Sequence, residues 1–218
     1  MTRAVRGLLY PLTLCAAVGL FTGFGAAAAE NDPLRYQRAC DAYNRGDFFT
    51  AFEDLMPYAA RGDARSQFAI AEMLRSGNGT KRNRAEALIW YRRAAEQGHS
   101  AAQCNLGTSL YNGWGTDADP QAAIDWWMHA AINGNARAMF NLGTVIAKGI
   151  YVKRDFPRAY RLMMQAEAGG YTPAGDTLET LKKVMTASQL ETALSLSLND
   201  AMNISRRRRG KPPMRRSD

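Results

Sequence analysis

Residues 107 to 135 read GTSLYNGWGTDADPQAAIDWWMHAAINGN. Two glycines bracket Trp114, an Asp-Pro follows at 119 and 120, and Trp126 and Trp127 stand together near His129. Taken alone, paired indoles close to an imidazole suggest a reaction centre. Shifted by 36 residues in either direction, however, the stretch meets itself. Gly62, Gly98, Gly134 and Gly170 fall in register, as do Ile70, Leu106 and Leu142. So do Ala71, Gly107 and Gly143, then Gly77, Gly113 and Gly149, then Ala94, Ala130 and Ala166. A fixed period of this size marks a chain built from stacked units.

Each column has a physical reading. Ala102, Leu106 and Leu110 recur at four-residue steps, the stripe of a helix. The small residues at 71, 107 and 143 let a partner helix approach closely. Gly77, Gly113 and Gly149 end the first helix, where glycine accepts the left-handed conformation. Asn83, Asp119 and Asp155 then supply a side-chain oxygen to the orphan amides of a second helix, with Pro120 fitted to its first position and Glu86 completing an approximate capping box. That second helix runs through Ala87, Ala94 and Ala95 to Gly98. Neither helix of such a pair buries its apolar face alone, so neighbouring pairs must stack. Trp126 and Trp127 align with Trp90 and Tyr91 and are read as packing residues; a cofactor box does not recur every repeat.

The segments AIAEMLRSGNGTKRNRAEALIWYRRAAEQGH, NLGTSLYNGWGTDADPQAAIDWWMHAAINGN and NLGTVIAKGIYVKRDFPRAYRLMMQAEAGGY resemble the Sel-one-like repeats of the tetratricopeptide superfamily. The resemblance covers residues 64 to 171. It implies an all-α, right-handed α-solenoid of antiparallel helix pairs, about ten helices once degenerate capping helices are included. Repeats are expected at 64–99, 100–135 and 136–171. The third departs from the pattern, with Tyr151 at the second loop glycine and Leu162 and Met163 in place of the aromatic pair. Residues 30–63 read as a degenerate capping repeat whose inter-helix loop is about five residues shorter than the others, end units being atypical in such stacks. Residues 172–205 read as closing helices, with Leu190, Leu194, Leu198 and Met202 stepping by four along the last.

Outside the stack the composition changes. Arg3 and Arg6 precede an apolar run from Leu8 to Phe24 and small residues from Ala26 to Ala29, the layout of a secretory signal over residues 1–29. Cleavage near Ala29 places the mature chain in the periplasm or outside the cell; the alternative is an inner-membrane anchor formed by an uncleaved segment. The stretch before Cys15 lacks the small residue of a lipoprotein signal. Residues 206–218, RRRRGKPPMRRSD, are too polar and proline-broken to fold alone. Of the 28 basic residues two lie in the leader and seven in this tail, and 19 of the 20 acids lie between, so the body is neutral. The net charge of +8 therefore belongs to the ends, and a nucleic-acid partner loses its main support. The tail residues Arg206, Arg207, Arg208, Arg209, Lys211, Arg215 and Arg216 are candidates for peripheral contact with an anionic membrane or envelope surface.

No metal site and no cofactor are expected, because Cys40, Cys104, His99 and His129 are scattered. Cys40 and Cys104 are read as buried thiols separated by four helices. No serine or cysteine nucleophile falls in register with a base and an orienting carboxylate, so no catalytic residue is assigned. Some cysteine-rich relatives in the resembled family are associated with penicillin binding or β-lactamase activity; their paired cysteines are missing here, and this enzyme class stands as the alternative. The reading preferred is a non-catalytic scaffold, adaptor or regulator that binds a protein or peptide on the concave wall lined by the first helix of each repeat. The candidate contacts are Arg65, Glu72, Asn105, Thr108, Asn112, Arg137, Asn141 and Lys148, with Ala69, Ser76, Ala101 and Thr144 at equivalent positions. Asn105 and Asn141 match an asparagine of the resembled family, which serves either a peptide backbone in the groove or the neighbouring repeat. Along the stack the charge alternates in blocks: residues 94–135 hold Glu96, Asp117, Asp119 and Asp125 with no Lys or Arg, whereas Arg137, Lys148, Lys153, Arg154, Arg158 and Arg161 make the third repeat basic.

Overall fold

The computed structural model describes residues 32–202, and every regular element among them is an α-helix. Eight helices of 13 residues come first: α1 (Pro33–Arg45), α2 (Phe48–Ala60), α3 (Ala64–Ser76), α4 (Arg84–Glu96), α5 (Ser100–Asn112), α6 (Pro120–Ile132), α7 (Ala136–Lys148) and α8 (Phe156–Ala168). They are followed by α9 (Pro173–Val184), α10 (Ala187–Ser195) and α11 (Leu198–Met202). The leader at 1–29 and the basic tail at 206–218 lie outside the described residues.

The equal helix lengths follow from punctuation in the sequence. Asp32, Asp47, Asp63, His99, Asp119, Asn135 and Asp155 each accept a backbone N–H at a helix start through the side chain. Asn83 does the same for α4, accepting from the Glu86 amide at 3.2 Å while its own Nδ2 donates to the Glu86 carboxylate. At the other end, Gly77, Gly113 and Gly149 take the left-handed conformation and return their N–H to the last turn. Such caps are each worth about 1 kcal/mol, so the boundaries are set locally before any packing.

The chain divides at Ala94 and Ala95 into two units. In the first, α2 packs on both α1 and α3, with Leu55, Ile70, Met73 and Leu74 buried. In the second, α5 packs on α6, α6 on α7, α7 on α8 and α8 on α9. Its core is Leu106, Ile124, Trp127, Leu142, Ile146, Leu162 and Met163. The closing segment departs from expectation. Two helices, α10 and α11, both packed on α8, replace the single one read from the four-residue stripe, and the described residues hold eleven helices rather than about ten. Ser197 explains the break: its hydroxyl accepts from the Asp200 amide at 3.1 Å and donates to the Asp200 carboxylate, starting a new helix instead of continuing the old. Leu194, within α10, is 56% exposed.

The capping repeat is held by a polar contact that periodicity did not show. Asp54 on α2 is 4% exposed and accepts from Arg38 Nε at 2.6 Å, Arg38 Nη2 at 2.8 Å and Arg35 Nε at 3.0 Å. The Arg38 guanidinium, helped by Arg35 and opposed by burial, holds the Asp54 carboxyl below the usual carboxylate range. A carboxyl depressed on folding contributes stability above its unfolded pKa of about 3.9 and loses it as pH falls through the folded value. Urea unfolding followed by circular dichroism should therefore place Asp54→Asn below the wild type at neutral pH. The gap should persist to about pH 4 and close in stronger acid. A gap independent of pH would assign the loss to packing instead.

Candidate functional site

The inner-helix residues singled out above divide into those consumed by the stack and those left open. In the first unit, Glu72 on α3 is half-buried. Its carboxylate accepts from the Tyr91 hydroxyl on α4 and from Arg75 Nη2 at 2.7 Å, while Arg75 Nε donates to the Tyr91 oxygen at 3.2 Å. Burial and the adjoining Glu72 carboxylate push the Tyr91 hydroxyl far up, so it acts as a donor throughout the ordinary pH range. This triangle ties α3 to α4 and leaves Glu72 little capacity for a ligand. Ala69, read as facing the groove, is instead buried, 3% exposed, because the helix presents it to a neighbour rather than to solvent. Ser76 returns its hydroxyl to the Glu72 carbonyl at 2.8 Å. Arg65 is exposed.

In the second unit the family asparagine shows one of its two readings directly. Arg137 on α7 donates through Nη2 to the Asn105 side-chain oxygen and through Nε to the Cys104 sulfur at 3.2 Å, both on α5. One guanidinium thus staples two consecutive first helices. Thr108 donates to the Cys104 carbonyl at 2.9 Å and lies 3.4 Å from Trp127 Nε1, which itself donates to the Cys104 carbonyl at 3.2 Å. Asn112 is exposed and bonds back to the Thr108 carbonyl at 2.8 Å. Burial raises the Cys104 thiol, with Arg137 acting in the opposite sense. Cys40 on α1 is likewise buried.

Asn141 differs from Asn105. In the 36-residue register, the position that would supply its staple is Pro173, which has no side-chain donor. Asn141 is half-buried, and its side chain bonds to none of the described residues. With Arg137 one turn before it, and Thr144 and the exposed Lys148 after it, it occupies one stripe of α7.

The tryptophan pair also divides. Trp127 is 4% exposed and seated against Gly107, where a Cβ would come within 2.7 Å of its ring. Trp126 is half-buried, its ring 5.7 Å from that of the exposed His129. His99 is not an idle linker residue: its Nδ1 accepts the Ala102 amide at 3.2 Å, doing for α5 what Asp63 and Asn135 do for α3 and α7. Two further bolts escaped sequence reasoning. Gln67 and Gln103, equivalent in register, donate to the Ala59 and Ala95 carbonyls at 3.0 and 3.1 Å from buried positions. The signal was present as an identical column broken only by Met139, but a glutamine on a helix reads as solvent-facing. Among the described residues, no group of three His, Cys, Asp or Glu is placed to hold a metal.

Comparison with known proteins bears on the repeat. A family model described as Sel1 repeat matches residues 64–99, 100–135 and 136–171. No curated protein matches the chain. Among solved structures, the chain is similar to a Sel1 repeat protein from Oxalobacter formigenes, with 27% identity, a TM-score of 0.63, 66% of this chain covered and 57% of that one. It shares its fold, at 23% identity and a TM-score of 0.66, with a protective antigen of uropathogenic Escherichia coli strains displaying an SLR fold, covering 80% of this chain and 37% of that one. The chain therefore spans only part of the length of both.

Proposed function

Because the chain belongs to the Sel1 repeat family, a TPR-like class whose members generally mediate protein–protein interaction, we propose that it is an exported binding scaffold of the periplasm or cell envelope. It takes an extended protein segment on the stripe of α7 centred on Asn141. The observation that supports this reading is the contrast between the two family asparagines. Asn105 spends its side-chain oxygen on Arg137, whereas Asn141 keeps both halves of its amide for an incoming main chain. Arg137 and Lys148, on the same stripe, flank the contact with donors and positive charge, and Asn105 and Thr108 hold α5 against α7 and α6. Binding here makes and breaks no covalent bond. The catalytic alternative finds no support in the two groups nearest to such chemistry, since His99 uses Nδ1 as a helix cap and Cys104 lies buried against Arg137. The leader at 1–29 supplies the export, and the tail from Arg206 to Arg216 adds attraction to an anionic envelope surface.

The test is affinity capture of the tagged chain from its own envelope. Asn141→Ala combined with Lys148→Ala removes two solvent-reaching groups and should leave stability within about 0.5 kcal/mol. The co-purifying protein should be lost. Unchanged capture by this folded double variant would rule out the α7 stripe.

A further inference from the structure

The loops that join the two helices of the second and third repeats, the latter starting directly after Lys148, carry exposed apolar side chains. Each loop leaves its first helix through a left-handed glycine, Gly113 at φ +69° and Gly149 at φ +67°. Each then folds back tightly. A Cβ on Gly113 would stand 3.3 Å from the Ala118 amide nitrogen, and one on Gly149 would stand 2.7 Å from Arg154 Cβ. The residues immediately after each glycine are pushed outward: Trp114 is 39% exposed, Ile150 52% and Tyr151 39%. The Tyr151 ring meets Tyr111 edge-on at 5.9 Å, which seats the third loop against the end of α5, where the second loop begins. The two loops therefore belong to one edge of the second unit.

Charge divides that edge. The register aligns Lys81-Arg82, Asp117-Ala118 and Lys153-Arg154, so the middle copy reverses the sign at this column. Asp117, Lys153 and Arg154 are all exposed. Asp155, the acid nearest the basic pair, is already engaged, capping α8 and facing Arg158 at 3.5 Å. One half of the edge is an indole beside a carboxylate; the other is an isoleucine and a tyrosine beside two cations. An anionic lipid surface would meet Asp117 with like charge, and an acidic peptide would satisfy only the third loop. The surface that complements both halves at once is the edge's own image under a two-fold rotation.

We propose that two copies of the chain pair along this edge, with Trp114 and Asp117 of each set against Ile150, Lys153 and Arg154 of the other. The apolar area on offer is small beside the roughly 800 Å² per partner of a standard interface, so the pair is weak and sensitive to salt. Sedimentation velocity on the purified full chain over a concentration series at low salt should show monomer passing to dimer, reversed by added salt. Two variants make the test specific. Lys153→Asp with Arg154→Asp places acid against acid, and Asp117→Lys places base against base, so each variant alone should remain monomeric. Mixed together, they present opposite charges at both contacts and should form a one-to-one heterodimer. The proposal is overturned by a monomer at every concentration. It is overturned equally by wild-type association in either folded variant, or by a mixture of the two folded variants that stays monomeric.

Discussion

Trp127→Ala is expected to cost about 3–5 kcal/mol of unfolding free energy, the range for emptying a large aromatic site in a core, whereas Trp126→Ala should cost less than about 1. The two residues are neighbours and the same amino acid, so composition and propensity predict no difference between them. Geometry does. Trp127 is 4% exposed, its ring lies 5.2 Å from that of Tyr111, and its Nε1 donates to the Cys104 carbonyl on the facing helix. Trp126 is only half-buried, its ring beside that of the exposed His129. Because Thr108 also donates to the Cys104 carbonyl, truncating Trp127 does not orphan that oxygen, and the loss is chiefly one of volume. Gly107 supplies the confirming arm. A Cβ there would approach the Trp127 ring at 2.7 Å and the Ala123 carbonyl at 2.9 Å, so Gly107→Ala should destabilise the wild type in spite of its better helix propensity. In the Trp127→Ala background half of that clash is gone, and the two changes should cost less together than their sum. Urea midpoints for the wild type and the four variants measure both claims. Equal losses at the two tryptophans would mean that the indole pair packs as a unit.

That division between adjacent tryptophans marks how far the sequence could be read. The 36-residue register exposes whatever recurs in a column: helix ends at Gly77, Gly113 and Gly149, caps at Asn83, Asp119 and Asp155, and the small residues under the aromatic pair. All of these depend on local chemistry repeated in each copy, which is why they are legible without coordinates. Contacts between different columns are not. Arg137 and Asn105 stand 32 residues apart, and the matching pair one repeat earlier, Ala101 and Ala69, is silent; no alignment of the copies would couple them. The same limit hid the Asp54 pairing with Arg35 and Arg38, which sits in a capping unit with no second example. The closing stripe failed for a different reason. Leu190, Leu194, Leu198 and Met202 keep a helical period, but Ser197 offers its own backbone partner and divides the helix between them. For the candidate face, the spacing gives only the stripe of positions on each first helix. Which of its polar groups remain available was decided by the next repeat, through Arg137 for Asn105 and Pro173 for Asn141.

Gly79→Ala should prove as damaging as a core truncation, at about 3 kcal/mol, although the residue lies in a loop and carries no side chain. Two costs combine there. Gly79 sits at φ +71°, where an L-residue gives up about 1–2 kcal/mol. A Cβ would also fall 2.2 Å from the Phe48 carbonyl oxygen and 2.7 Å from the Phe49 amide nitrogen, and both are backbone atoms of the first turn of α2. Flexible side chains yield to such an intrusion; a capped helix start does not, because moving it also strains the Asp47 bond to the Thr50 amide. The control is Gly98→Ala. That residue has a similar φ of +85° and nothing within 4 Å of the added carbon, so it should show the conformational cost alone, about 1 kcal/mol. The difference between the two variants, read from urea midpoints, isolates the approach of the first inter-helix loop to α2. The third repeat places Tyr151 in the same column, so the hairpin turn does not by itself demand glycine. What demands it at residue 79 is the neighbouring helix. Equal losses for Gly79→Ala and Gly98→Ala would remove that close approach from the list of contacts holding the capping repeat in place.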